Sequence, residues 1–156
     1  KDETIKQFVI EQLVDNRLWQ MAAKEMGITV SDGDLREMIV QVPEFQKNGA
    51  FDPEIYQRLL AANHLTPKVF EEAQAKEILG NKAKMFVRDA VALTPSEISE
   101  GQALMTRQPD SDPAKATEAK DRVLQDMLFQ KQQRALVAFQ ESLKGKIPVK
   151  IHRELL

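Results

Sequence analysis

Side chains able to do chemistry are few in this sequence and widely scattered. His64 and His152 each stand alone, with no other His, Asp or Glu at a spacing that a helix or turn would bring onto a shared metal ion or proton. His64 falls in a bend at 63–65, where an ordinary turn residue accounts for it. Asp110, Asp112 and Asp121 approach the spacing of a calcium loop. Lys115, however, stands where glycine must make the sharp turn, and the last ligand is not glutamate. The chain has no cysteine, which excludes disulfides, thiolate metal sites and a cysteine nucleophile. It also lacks a glycine-rich phosphate loop, a nucleophile elbow, and a close carboxylate pair set in an apolar run. The expectation is no catalytic residue, no metal and no cofactor.

What the sequence does carry is apolar, adaptable side chains. Six methionines accompany Trp19, Phe45, Phe51, Tyr56 and Phe70. Most of a stripe at helical spacing serves as core, while methionine and aromatic residues also line grooves that accept varied partners. Trp19, Met38, Phe45, Phe51, Tyr56 and Phe70 are the candidate client-binding residues, building a core flanked by an apolar groove. A formal charge of −2 over 156 residues gives no field directed at nucleic acid or an anionic membrane. No apolar run reaches the ~20 residues needed to span a bilayer. The chain starts at Lys1 rather than methionine, so a targeting or anchoring segment removed from upstream is compatible with it.

These side chains must be positioned by helices, and the expected fold class is all-α. Residues 3–26 place Ile5, Val9 and Leu13 on one stripe and Ile10, Val14, Leu18 and Met21 on another. Apolar groups on most of the circumference predict a helix sandwiched between neighbours, closed by Gly27 as a left-handed cap. Ser31 with Asp34 starts a short helix bearing Leu35, Met38, Ile39 and Val42. The stretch from Pro43 to Phe51 has no period and predicts an ordered loop pinned by Phe45 and Phe51. Asp52-Pro53, Thr66-Pro67, Thr94-Pro95 and Asp112-Pro113 each pair a capping side chain with proline at the first helical position, and each predicts a helix start. Residues 107–113 read as a linker. The last long helix, 114–144, carries Val123, Leu124, Met127, Leu128, Phe139 and Leu143. Ile147, Val149 and Ile151 alternate as in a short strand that has no evident partner.

Three segments and one tyrosine carry a resemblance. Gly27-Ile28-Thr29-Val30-Ser31-Asp32 is followed by Pro43-Glu44-Phe45-Gln46-Lys47-Asn48-Gly49-Ala50-Phe51-Asp52, by Tyr56, and by Leu65-Thr66-Pro67-Lys68-Val69-Phe70. In these motifs the chain resembles the SurA N-terminal domain family of SurA/PpiD-type periplasmic chaperones, over about residues 4–100. The resemblance implies one helical chaperone domain spanning 1–156. Its N-terminal helices (1–106) and its C-terminal helix and strand (114–156) would be joined by the linker 107–113, with the long helix returning to the core. It further implies a periplasmic location, inner-membrane anchoring of a longer protein, and unfolded envelope or outer-membrane proteins as clients. The short strand and extra helix with which family members start are missing before Glu3, which would orphan the strand at Ile147. The signatures of the parvulin prolyl isomerase domain are absent too, so isomerase activity is not expected. Two alternatives remain: the non-catalytic helical part of a parvulin-type isomerase, or a dimerisation module whose C-terminal helix or strand exchanges between two chains.

Overall fold

A computed structural model describes residues 2–106 and 112–151. The order of elements is α1 (Asp2–Glu25), α2 (Asp32–Gln41), a 3-10 turn (Pro43–Phe45), β1 (Gln46–Lys47), β2 (Ala50–Phe51), α3 (Pro53–Ala62), α4 (Pro67–Asp89), α5 (Pro95–Thr106) and α6 (Pro113–Lys146). The chain forms an all-α fold, as the periodicity predicts. It divides into two compact units, Lys1–Ala83 and Lys84–Leu156, and the boundary falls inside α4. Most of the linker expected at 107–113 lies outside the described residues, as do Asp110 and His152.

The helix starts follow from short-range hydrogen bonding. Asp52 Oδ1 accepts the N–H groups of Glu54 and Ile55 at 2.9 and 3.2 Å. Thr66 Oγ1 accepts from Val69 at 3.3 Å, and Asp112 Oδ1 from Ala114 at 3.0 Å. Ser31 and Asp34 form a reciprocal capping box at α2. Thr94 and Glu97 do the same at α5, with Thr94 N–H donating to Glu97 Oε2 at 2.7 Å and Glu97 N–H to Thr94 Oγ1 at 3.3 Å. Each cap satisfies donors that the first helical turn would otherwise leave unpaired.

Helix α1 closes as predicted. Gly27 has φ of +72°, its N–H reaches the Lys24 carbonyl, and Ile28 N–H reaches the Ala23 carbonyl, the Schellman pattern. The same pattern ends α3, but with a histidine in the left-handed position. His64 has φ of +56°, and the His64 and Leu65 N–H groups bond the carbonyls of Ala61 and Leu60. A side chain in that conformation is strained, and His64 is exposed, with no core packing to lose. His64→Gly is therefore expected to raise stability by about 0.5–1 kcal/mol, after the added freedom of glycine in the unfolded chain is subtracted. Urea denaturation of the two proteins checks this, and a destabilised glycine variant would contradict it.

Three sequence expectations change. The stretch from Pro43 to Phe51 is not a plain loop. After its 3-10 turn it forms a two-residue hairpin pairing Gln46 with Phe51 and Lys47 with Ala50. Asn48 and Gly49 both have positive φ, 54° and 80°, as a type I′ turn requires. Second, α1 is sandwiched only toward its C-terminal end, where residues 18–23 are all buried or half-buried round the helix. Over residues 3–13 only Ile10 is buried, and Ile5, Val9 and Leu13, joined by Phe8, stay in solvent. Third, Ile147, Val149 and Ile151 form no strand. No neighbouring edge offers them a ladder among the described residues, and a lone extended segment gains no such hydrogen bonds.

In the first unit Leu18 and Trp19 are each 1% exposed. Gly80 of α4 lies directly over Trp19, and a Cβ placed there would stand 3.6 Å from the Trp19 Cβ. In the second unit α5 packs along α6. A Cβ on Gly101 would come within 2.8 Å of Met127 Sδ and 2.9 Å of Leu124 Cδ2, so those two flexible side chains would have to shift to admit one.

Candidate functional site

The candidate site of the first unit grows out of an aromatic cluster. Ile39, Phe45, Tyr56 and Leu60 form a buried group, with Leu35, Met38, Val42, Phe51, Leu59 and Phe70 packed around it. Phe45 meets Tyr56 edge-on at a centroid distance of 5.0 Å and Phe70 at 5.7 Å, while Phe51 lies 5.7 Å from Tyr56. Such edge-to-face pairs place the positive rim of one ring on the negative face of another. The hairpin carries Phe45 and Phe51 into the cluster. The caps at Asp52 and Thr66 set the helices that bring Tyr56 and Phe70 to meet them.

Beside this cluster opens a cavity of about 320 Å³. Leu35, Ile39, Phe51 and Tyr56 supply apolar wall, and Asp32, Arg36 and Glu71 supply charge. Tyr56 donates its hydroxyl to Glu71 Oε1 at 3.2 Å. Burial, reinforced by the Glu71 charge and hydrogen bond, pushes the Tyr56 phenol up to about 12, so it remains a donor at any physiological pH. Of the six candidate residues, Phe51 and Tyr56 reach this cavity. Phe45 is buried in the cluster, and Met38 and Phe70 are half-buried against it. Trp19 belongs to a separate buried patch on α1. Asp32, Arg36 and Glu71 were not singled out by sequence, because nothing local signals that Glu71 will meet a tyrosine fifteen residues earlier.

The second feature is a face of α1. Ile5, Phe8, Val9 and Leu13 are 61%, 60%, 47% and 60% exposed. They lie three and four residues apart, so they form one continuous strip about 12 Å long at 1.5 Å per residue.

Each unit also holds a lysine clamp built on a capping box. Lys82 Nζ donates to Asp34 Oδ2 at 2.6 Å and to the Thr29 carbonyl at 3.2 Å. Lys131 Nζ donates to Glu97 Oε2 at 2.7 Å and to the Ala92 carbonyl at 3.0 Å. In both, the accepting carbonyl lies two residues before the cap. The Lys82 hydrogen bond, then those from the Ser31 N–H and hydroxyl, hold the Asp34 carboxyl down at about 2. The Lys131 hydrogen bond and then the Thr94 N–H bring Glu97 to about 2 as well. Both values lie below those of an unfolded chain, so the clamps stabilise the fold above about pH 4.5 and lose that contribution as pH falls toward 2. Their partial exposure keeps the contribution modest. Thermal melting from pH 7 to pH 2 is expected to show a shallower acid loss in a Lys82→Met, Lys131→Met double variant than in the unaltered protein. Superimposable pH profiles would contradict this.

Among the described residues no group of three or more His, Asp or Glu side chains could hold a metal ion, and no helix is long and apolar enough to cross a membrane.

The SurA-like N-terminal domain family matches residues 1–84. The chain is 39% identical over 62 residues to the protein named periplasmic chaperone PpiD from Haemophilus influenzae, covering 40% of this chain and 10% of that protein. Against the protein of the same name from Buchnera aphidicola it is 30% identical over 66 residues, covering 42% and 10%. Against that from Escherichia coli it is 26% identical over 106 residues, covering 68% and 17%. The chain thus spans 10% to 17% of the length of these curated relatives. No solved structure matches it. The family match covers more than half of the chain and takes in α1, the hairpin, the aromatic cluster and the cavity beside it, and on that ground the chain belongs to the SurA-like N-terminal domain family.

Proposed function

We propose that this chain is a non-catalytic chaperone module that acts in the periplasm and holds unfolded or partly folded envelope proteins by their apolar segments. The observation that carries the reading is the α1 strip of Ile5, Phe8, Val9 and Leu13, left in water within the unit that matches the family. Contiguous exposed apolar surface marks interaction sites. Covering apolar surface releases about 25 cal/mol per Å² whatever the sequence of the guest, which suits a partner that must accept many clients. The relatives named periplasmic chaperones support both the activity and the compartment. In this reading Trp19 and Phe45 build the scaffold, while Phe51 and Tyr56 are open to a guest through the cavity.

The test is suppression of aggregation of a urea-unfolded outer-membrane protein on dilution. Light scattering is expected to fall at stoichiometric amounts of the chain. Scattering unchanged at a tenfold excess would end the proposal.

A further inference from the structure

We propose that the cavity beside the aromatic cluster seats one large apolar side chain of a client and selects for a lysine or arginine next to it in the client sequence. The inference rests on the chaperone reading and adds a sequence preference to it.

At about 320 Å³ the cavity sits at the small end of ligand pockets, which run from about 300 to 1,000 Å³. That suits a single side chain with its immediate neighbours rather than a packed helix. Leu35, Ile39, Phe51 and Tyr56 line it with apolar and aromatic surface. Charge in the lining sets the selectivity. Asp32 and Arg36 stand one turn apart on α2, where opposite charges offset each other. Glu71, arriving from α4, is the carboxylate left over, and the formal charge of the lining is −1. The Tyr56 hydroxyl holds one Glu71 oxygen at 3.2 Å, and the carboxylate belongs to the cavity lining, where a guest ammonium or guanidinium would meet it. A guest acid would meet two carboxylates for each guanidinium.

Fluorescence anisotropy with two labelled peptides tests this. Both carry a central phenylalanine, flanked by lysine in one and by glutamate in the other. At low ionic strength the lysine peptide is expected to bind about fourfold tighter, the scale of exposed charge pairs. Salt near 1 M should erase most of that ratio by screening. Glu71→Gln keeps an amide oxygen for the Tyr56 hydroxyl and removes the charge, so the ratio is expected to fall close to one. Val40 also lines the cavity, so Val40→Phe fills it and should weaken both peptides. Equal affinities for the two peptides, or a ratio that survives both Glu71→Gln and high salt, would overturn the inference. Aggregation suppression that persists alongside either result would sink this selectivity alone and leave the chaperone reading standing.

Discussion

Replacing Phe45 with alanine is expected to destabilise the first unit by about 3–5 kcal/mol. That is a large share of the roughly 5–15 kcal/mol that holds a typical domain together. Phe45 is 7% exposed and forms edge-to-face pairs with both Tyr56 and Phe70. Truncation would therefore open a cavity and remove two ring pairs, each worth about 0.5–1.5 kcal/mol beyond area burial. Its carbonyl also accepts the Asp52 N–H at 2.8 Å, tying the hairpin to the start of α3. Loosening of the Phe45 segment would thus spread to the helix that carries Tyr56. Trp19 is the chain's single tryptophan and is sealed inside the same unit, so its fluorescence during urea denaturation reports this unit directly. A loss below about 1 kcal/mol would mean that the cluster is not the core of the unit.

The second large effect separates function from stability. Changing Ile5, Phe8, Val9 and Leu13 together to glutamine keeps good helix formers in place and touches no buried residue. The folded chain should therefore stay within about 0.5 kcal/mol of its parent. Burying one such side chain completely yields about 1.5–3 kcal/mol, and these four have roughly half to three-fifths of that surface free to offer. A client lying along the strip would gain several kcal/mol gross, reduced by the cost of ordering a disordered guest. The expected outcome is at least a tenfold rise in the amount of protein needed to suppress aggregation, with an unchanged melting transition. Full activity in the quadruple variant would remove α1 from the function. An altered melting transition would show instead that the strip serves the fold.

Local chemistry makes much of this protein legible in the sequence alone. All four Asp-Pro and Thr-Pro helix starts, the Ser31 capping box and the Gly27 cap depend on groups within a few residues of one another, so the sequence specifies them unaided. The family was legible as well, because its motifs sit in the same short turns. The hairpin at Asn48-Gly49 was missed although its turn signal is local, since two paired residues are too few to show a strand period.

Only the tertiary structure decided the rest. Periodicity on α1 measures how wide the apolar arc is, and cannot say which stretch of the helix finds neighbours: residues 18–23 do, and Ile5, Phe8, Val9 and Leu13 do not. Burial is a property of what comes to lie alongside. The Tyr56–Glu71, Lys82–Asp34 and Lys131–Glu97 contacts join residues 15, 48 and 34 positions apart. Their partners are chosen by the crossing of helices, and each residue in isolation reads as a wet surface charge or a core aromatic. The cavity follows the same rule, because its apolar and charged lining comes from α2, the hairpin, α3 and α4 at once.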